Sequence, residues 1–218
     1  MSLPLERHRY SVEEYLALER KAEDRHEYLD GEIYEMAGET EQHGDVCVNV
    51  VGELREQLRG QPCRVWTKDV KVRSGPNPKL FRAPKGLYSY PDVVVVCGER
   101  QYHDEHKDVL LNPTVVIEVL STSTEAFDRG GKFVRYRMYV PSLTDYIVIS
   151  QTMPLVEHYR RQPNSEWVLT SVTELEGSLY LESVGCTLRL AEVYDRVEFP
   201  IEASETDQEH EAEPRQSN

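Results

Sequence analysis

Tyr90-Pro91-Asp92-Val93-Val94-Val95-Val96 and, after a polar interval, Thr114-Val115-Val116-Ile117-Glu118-Val119-Leu120-Ser121 are the two runs on which the fold turns. Both are β-rich, and the continuous apolar stretch from Val93 to Val96 reads as a strand covered on both faces, near a sheet centre. Each run also carries one carboxylate. An ionised carboxylate inside an apolar strand is expensive to bury unless something compensates it. A divalent cation held between Asp92 and Glu118 would do so. A hard ion such as Mg2+ (or Mn2+) prefers oxygen ligands, and the Val119 carbonyl would lie within reach as a third, neutral one. The segment Asp128-Arg129-Gly130-Gly131-Lys132-Phe133-Val134-Arg135-Tyr136 follows, and its Lys132 would orient an attacking water or offset negative charge. Phosphodiester hydrolysis needs both a hydroxide near neutral pH and a counter-charge for the transition state.

Outward from these runs the chain alternates helix and strand signals. Ser11-Val12-Glu13-Glu14 is a capping box for a short helix that buries Val12, Tyr15 and Leu16. Asp30-Gly31, between two β-rich runs, predicts a hairpin with a two-residue turn. Val46, Val50, Val51, Leu54 and Leu58 form a helical stripe over about His43 to Arg59, closed by Gly60-Gln61-Pro62. Cys63 to Arg73 alternates as one strand, and residues 76–89 and Gln101 to Asp108 read as loops. A helix is expected between Thr122 and Tyr139, with Phe127, Val134 and Met138 on one face and Lys132 and Tyr136 on another. Asp145 to Ser150 and Leu155 to Arg160 make a second hairpin, and strands follow at Trp167–Val172, Leu179–Glu182 and Thr187–Leu190. The expected fold is α/β (α+β): one mixed central sheet flanked by helices, with additional C-terminal strands. Residues 1–200 read as one domain and 201–218 as an acidic disordered tail.

Composition excludes several classes. The net charge of −14 argues against a general nucleic-acid coat protein. Six acids against Arg215 give residues 202–218 a net of −5, which leaves −9 on residues 1–201. Two basic groups remain for local DNA contact, Lys68 to Lys85 and Arg129 to Arg137, although the first is equally readable as solvated loop and helix faces. No apolar run reaches the ~18 residues of a membrane span. No secretory signal is visible at the N-terminus, so a cytoplasmic location is expected. The four cysteines form no Cys-x-x-Cys pair and read as reduced core thiols, with neither a zinc cluster nor a disulfide framework.

Pro91-Asp92, the Glu118 strand and Asp128-Arg129-Gly130-x-Lys132 resemble the Uma-type restriction endonuclease family of the PD-(D/E)XK nuclease superfamily. The likeness takes in Tyr28-Leu29-Asp30-Gly31-Glu32, His43 near a helix start and Pro141-Ser142-Leu143, and covers roughly residues 8–195. It implies a restriction-endonuclease-like core, Mg2+- or Mn2+-dependent DNA cleavage and a homodimer. It also implies that Glu32 and His43 join Asp92, Glu118 and Lys132 in the catalytic set. One departure is plain: the superfamily's Glu-x-Lys would put lysine at position 120, where this chain has Leu120. Lys132, from the following helix, is the expected replacement.

Each residue has a plainer reading. Asp92 would cap a strand start, Glu118 would pair with Lys132 or an arginine, and Lys132 would be a solvated helix lysine. Glu32 would be an exposed turn acid, His43 would merely start a helix, and Tyr136 is better read as packing. His103-x-x-His106 offers adventitious metal binding at most. The competing function is a catalytically inactive nuclease-like scaffold that binds nucleic acid or a protein partner. A metal-free carboxylate-pair glycosidase is the weakest alternative.

Overall fold

The computed structural model describes residues 8–36, 38–76 and 85–200; the expected acidic tail lies outside them. At its centre is a six-stranded sheet of β3 (Cys63–Thr67), β6 (Val93–Cys97), β8 (Val115–Leu120), β9 (Asp145–Ser150), β10 (Val156–Arg161) and β11 (Trp167–Val172), ordered β11-β10-β9-β8-β6-β3. Within this sheet only the β8–β9 pair is parallel. Parallel neighbours need a long crossover, and the chain between them supplies the helical segment that carries Lys132.

Alternation along the central strands builds two cores. Val93, Val95, Val115, Ile117 and Val119 pack against Val46, Val50 and Leu54 of helix α2 (Glu41–Gln57) and against β12 (Ser178–Leu181), β13 (Cys186–Arg189) and α5 (Leu190–Val193). Val94, Val96, Val116 and Leu120 face the other way, onto Phe133, Tyr136 and Val140 of α4 (Phe133–Tyr139) and its flank. The run Val93–Val96 is covered on both faces because both layers are present.

A second sheet, ordered β2-β1-β5-β4-β7, joins β1 (His26–Leu29), β2 (Glu32–Glu35), β4 (Lys71–Ser74), β5 (Leu87–Ser89) and β7 (Val109–Leu110). Helix α1 (Val12–Glu19) packs on it through Val12, Tyr15 and Leu16, and its Ser11–Glu14 capping box is formed. Asp30 and Gly31 take φ of 49° and 98°, the left-handed geometry that a two-residue hairpin turn demands. Tyr15 stacks on Tyr28, and Tyr88 meets both rings edge-on, where helix and sheet meet.

Three expectations are corrected. The alternating stretch Cys63 to Arg73 is not one strand: the Asp69 and Val70 amides bond back to the Thr67 carbonyl, and the turn passes the chain from the large sheet to the small one. The loop expected over 76–89 contains β5, while residues 77–84 lie outside the described ones. Cys63 and Cys97 are joined in a disulfide rather than reduced, since the β3–β6 register sets them directly opposite one another; Cys47 and Cys186 are free thiols. Of the two faces read for the helix between β8 and β9, the one with Lys132 and Tyr136 is buried. Val134 and Met138 are exposed, whereas Lys132, Phe133 and Tyr136 are buried. A short helix α3 (Glu125–Phe127) opens into a π-helical turn over Asp128–Lys132 before α4 begins. That wide turn shifts the phase of everything after it.

A candidate metal centre between two strands

The β6–β8 register pairs Val93 with Ile117, so one step further along the ladder Asp92 comes opposite Glu118 and both side chains leave the same face of the sheet. Pro91 has no N–H to extend the ladder, and the Asp92 carboxylate substitutes for backbone. Its Oδ2 accepts the Val119 N–H at 2.7 Å. Its Oδ1 lies 2.9 Å from His43 Nε2. An ionised carboxylate only accepts, so His43 is the donor. The Thr40 side chain caps α2 by accepting the His43 amide N–H, and this cap holds the imidazole at the sheet end.

Glu118 is 3 % exposed. Lys132 Nζ is 3.0 Å from its Oε1; yet that oxygen has no hydrogen-bond partner. The ammonium is therefore a charge partner held off hydrogen-bonding alignment. Lys132 also lies 3.3 Å from Asp128 Oδ1 and 3.7 Å from Glu27 Oε1. Glu118, Asp128 and Glu27 thus surround a single buried ammonium, with the Asp92 charge acting on Glu118. Burial pushes Glu118 well above the usual carboxylate range; Lys132 pulls it back, while Asp128, Asp92 and Glu27 push further. Burial opposes the Lys132 charge too, but Glu118, Glu27 and Asp128 outweigh it and raise that ammonium well above the ordinary lysine range. The site is short of positive charge.

The donors present suit a hard divalent ion. Asp92 and Glu118 offer carboxylate oxygens, one of them without a hydrogen bond. A second donor set overlaps it: single ligand atoms of His43, Cys47 and Asp92 lie within 4.8 Å of one another. A softer metal there would need the Cys47 thiolate. Burial, then Asp92 and Glu118, push that thiol far up, so the oxygen set is the better match.

Asp92, Glu118, Lys132 and His43 are brought together. Val119 enters through its N–H. Glu32 is not brought to the cluster: on β2 it accepts the Tyr34 hydroxyl at 2.6 Å. Glu27, from the neighbouring strand β1, reaches Lys132 instead and also accepts the Tyr90 N–H. Tyr136 is fully buried, with its hydroxyl 3.0 Å from Ser89 Oγ, which is packing. His103 rests edge-on against Tyr88. Two members were missed. Asp128 had a readable signal, four residues before Lys132 on one helical face. Glu27 had none, because it arrives from the other sheet.

A family model described as "Uma2: Putative restriction endonuclease" matches residues 12–191. An uncharacterized Synechocystis protein, slr1290, is 32% identical over 189 residues, 87% of this chain and 93% of that protein. A second uncharacterized protein of that organism, sll1609, is 32% identical over 159 residues, 73% of this chain and 85% of its own length. A crystal structure described as a putative nuclease of DUF820 from Anabaena variabilis superposes with a TM-score of 0.66 at 16% identity, over 85% of this chain and 97% of that one. At that identity the likeness establishes the fold, a restriction-endonuclease-like core.

Proposed function

Because the chain belongs to the Uma2 family, described as putative restriction endonucleases, we propose that it is a metal-dependent endonuclease. It hydrolyses DNA phosphodiester bonds at a centre of Asp92, Glu118 and Lys132. The observation that carries this reading is the excess of buried carboxylate around Lys132, with Glu118 Oε1 lacking a hydrogen bond. Asp92 and Glu118 would hold Mg2+ or Mn2+, with the Val119 carbonyl as the further oxygen. When bound, such an ion lowers the pKa of water and offsets charge on the phosphate.

The side chains do the rest. His43 and the Val119 N–H fix the Asp92 carboxylate from both sides, so its lone pairs point one way. Lys132, tied to a rigid turn, presents N–H groups that orient the attacking water and shares the charge growing on phosphorus. Glu27 and Asp128, with Glu118, keep that lysine protonated and in place. Two such centres on a homodimer would address the two DNA strands.

The competing reading, a nuclease-shaped scaffold without turnover, draws on the engagement of both Asp92 oxygens. Supercoiled plasmid incubated with the protein in Mg2+, Mn2+ or EDTA separates the two. The enzyme reading expects nicking in either metal, none in EDTA, and none in Asp92→Ala or Glu118→Ala. Nicking that survives unchanged in both variants would remove this centre from the account.

A further inference from the structure

The outer edge of the large sheet carries a feature that the acid centre does not use. β3 is the edge strand, and a groove beside it is lined by Arg55, Leu58, Arg59, Cys63, Arg64, Val65 and Trp66. Arg55 and Arg59 descend from the end of α2. Arg64 and Trp66 project from one face of β3, two residues apart, and Arg100 lies over the Trp66 ring at 5.9 Å. All four arginines are exposed. In a chain of net charge −14, none of the four has a carboxylate partner among the described residues. Arg20, Arg25, Arg129, Arg135 and Arg160, by contrast, are all ion-paired. Glu53, Glu56 and Glu99 are near in sequence but pair with none of the four.

The helix dipole accounts for Arg55 in the last turn of α2. It does not account for Arg64 or Arg100, which come from a strand and from the loop after β6. A second copy of this chain paired along β3 would set two such arginine groups against each other across a twofold axis, which argues against that occupant. A polyanion fits. Guanidinium forks match phosphate oxygens two at a time.

We propose that this groove binds the phosphodiester backbone of DNA, as a contact separate from the acid centre. Asp92 and Cys97 mark opposite ends of β6, so the two places are roughly 16 Å apart at ~3.3 Å per strand residue. One bound DNA could touch both. The inference rests on the nucleic-acid reading but not on the chemistry at Glu118.

The test is binding without cleavage. Labelled 20-mer duplex and single-stranded DNA are titrated with the full chain in EDTA over a range of salt. The proteins compared are the wild type, the triple variants R55E/R59E/R64E and R55K/R59K/R64K, and Glu118→Gln. Thermal melts confirm that each is folded. The glutamate triple should bind on the order of a hundredfold more weakly near 0.15 M salt, and its salt slope should fall by about 2.7, at ~0.9 per phosphate contact. The lysine triple and Glu118→Gln should keep most of the affinity. Duplex and single-strand arms tell which form of the backbone is held. An unchanged Kd and slope in a folded glutamate triple overturns the proposal, as does a wild type that fails to bind at low salt. Displacement of DNA by poly-glutamate at equal charge also overturns it, in favour of an acidic protein partner. Failure of the cleavage reading looks different: nicking persists in Glu118→Ala while DNA binding is untouched.

Discussion

Two carboxylates are buried in adjacent strands of one sheet, Glu118 on β8 and Asp145 on β9, and they are treated in opposite ways. Asp145 is fully buried, yet its Oδ1 lies 2.7 Å from His158 Nε2 and its Oδ2 accepts the hydroxyls of Thr144 and Ser183. Burial alone would raise its pKa, but the donors His158, Ser183 and Thr144 outweigh that and bring it below the usual value of 3.8. Glu118 pays the same desolvation with one ammonium out of alignment and three other carboxylates around it, and it is raised well above 4.5. Neighbouring strands exclude solvent alike, so the difference is the number of donors each acid meets. A carboxylate with both oxygens hydrogen-bonded holds the fold together. One left short is the acid to which the proposed cation is assigned.

Activity separates the two most strongly. Glu118→Ala should lower plasmid nicking by about a thousandfold or more, the several kcal/mol that a held metal contributes. Asp145→Asn, if it stays folded, should keep nicking within a fewfold of the wild type. Equal losses in both would erase the distinction.

Stability should sort them the other way. Asp145→Ala leaves the His158 ring and two hydroxyls without their acceptor, at a cost of about 3 kcal/mol by denaturant titration. Glu118→Gln keeps the shape and removes a buried charge, so the metal-free protein should gain about 1 kcal/mol near pH 8. A loss there would mean that the Lys132 ion pair is worth more than the crowding of acids costs.

The pH dependence should also run in opposite directions. The folded pKa of Asp145 lies below its unfolded value, so its stabilisation is present above about 3.8 and is lost as pH falls through the folded value. The folded pKa of Glu118 lies above its unfolded value, so folding favours the protonated acid. Its contribution is present below about 4.5 and is lost as pH rises through the folded value. Midpoints measured across pH should therefore decline at the acid end through Asp145 and on the alkaline side through Glu118. Asp145→Asn should flatten only the first decline and Glu118→Gln only the second.

Much of this was readable from the chain because the deciding residues are close together in it. Asp92 and Glu118 sit in runs whose uninterrupted valines read as central strands, and the antiparallel register of those strands sets the two acids opposite one another. Which face of the helix after β8 is buried was not legible. A 3.6-residue period does not anticipate the wide turn over Asp128–Lys132, which buries a lysine and leaves Val134 and Met138 in solvent. Sequence spacing gave no sign of the Cys63–Cys97 bond either, since the two cysteines meet only through strand pairing. Glu27 was invisible for a related reason. It belongs to the small sheet, and only the packing of one sheet on the other carries it to Lys132.

The most direct test is calorimetric titration of the metal-free protein with Mn2+ at neutral pH, beside the Asp92→Ala/Glu118→Ala double variant. One ion per chain is expected in the wild type, with the binding heat abolished in the folded double variant. No binding by the wild type, or the same isotherm from both proteins, would contradict the claim that these two strand acids are held in place for a divalent cation.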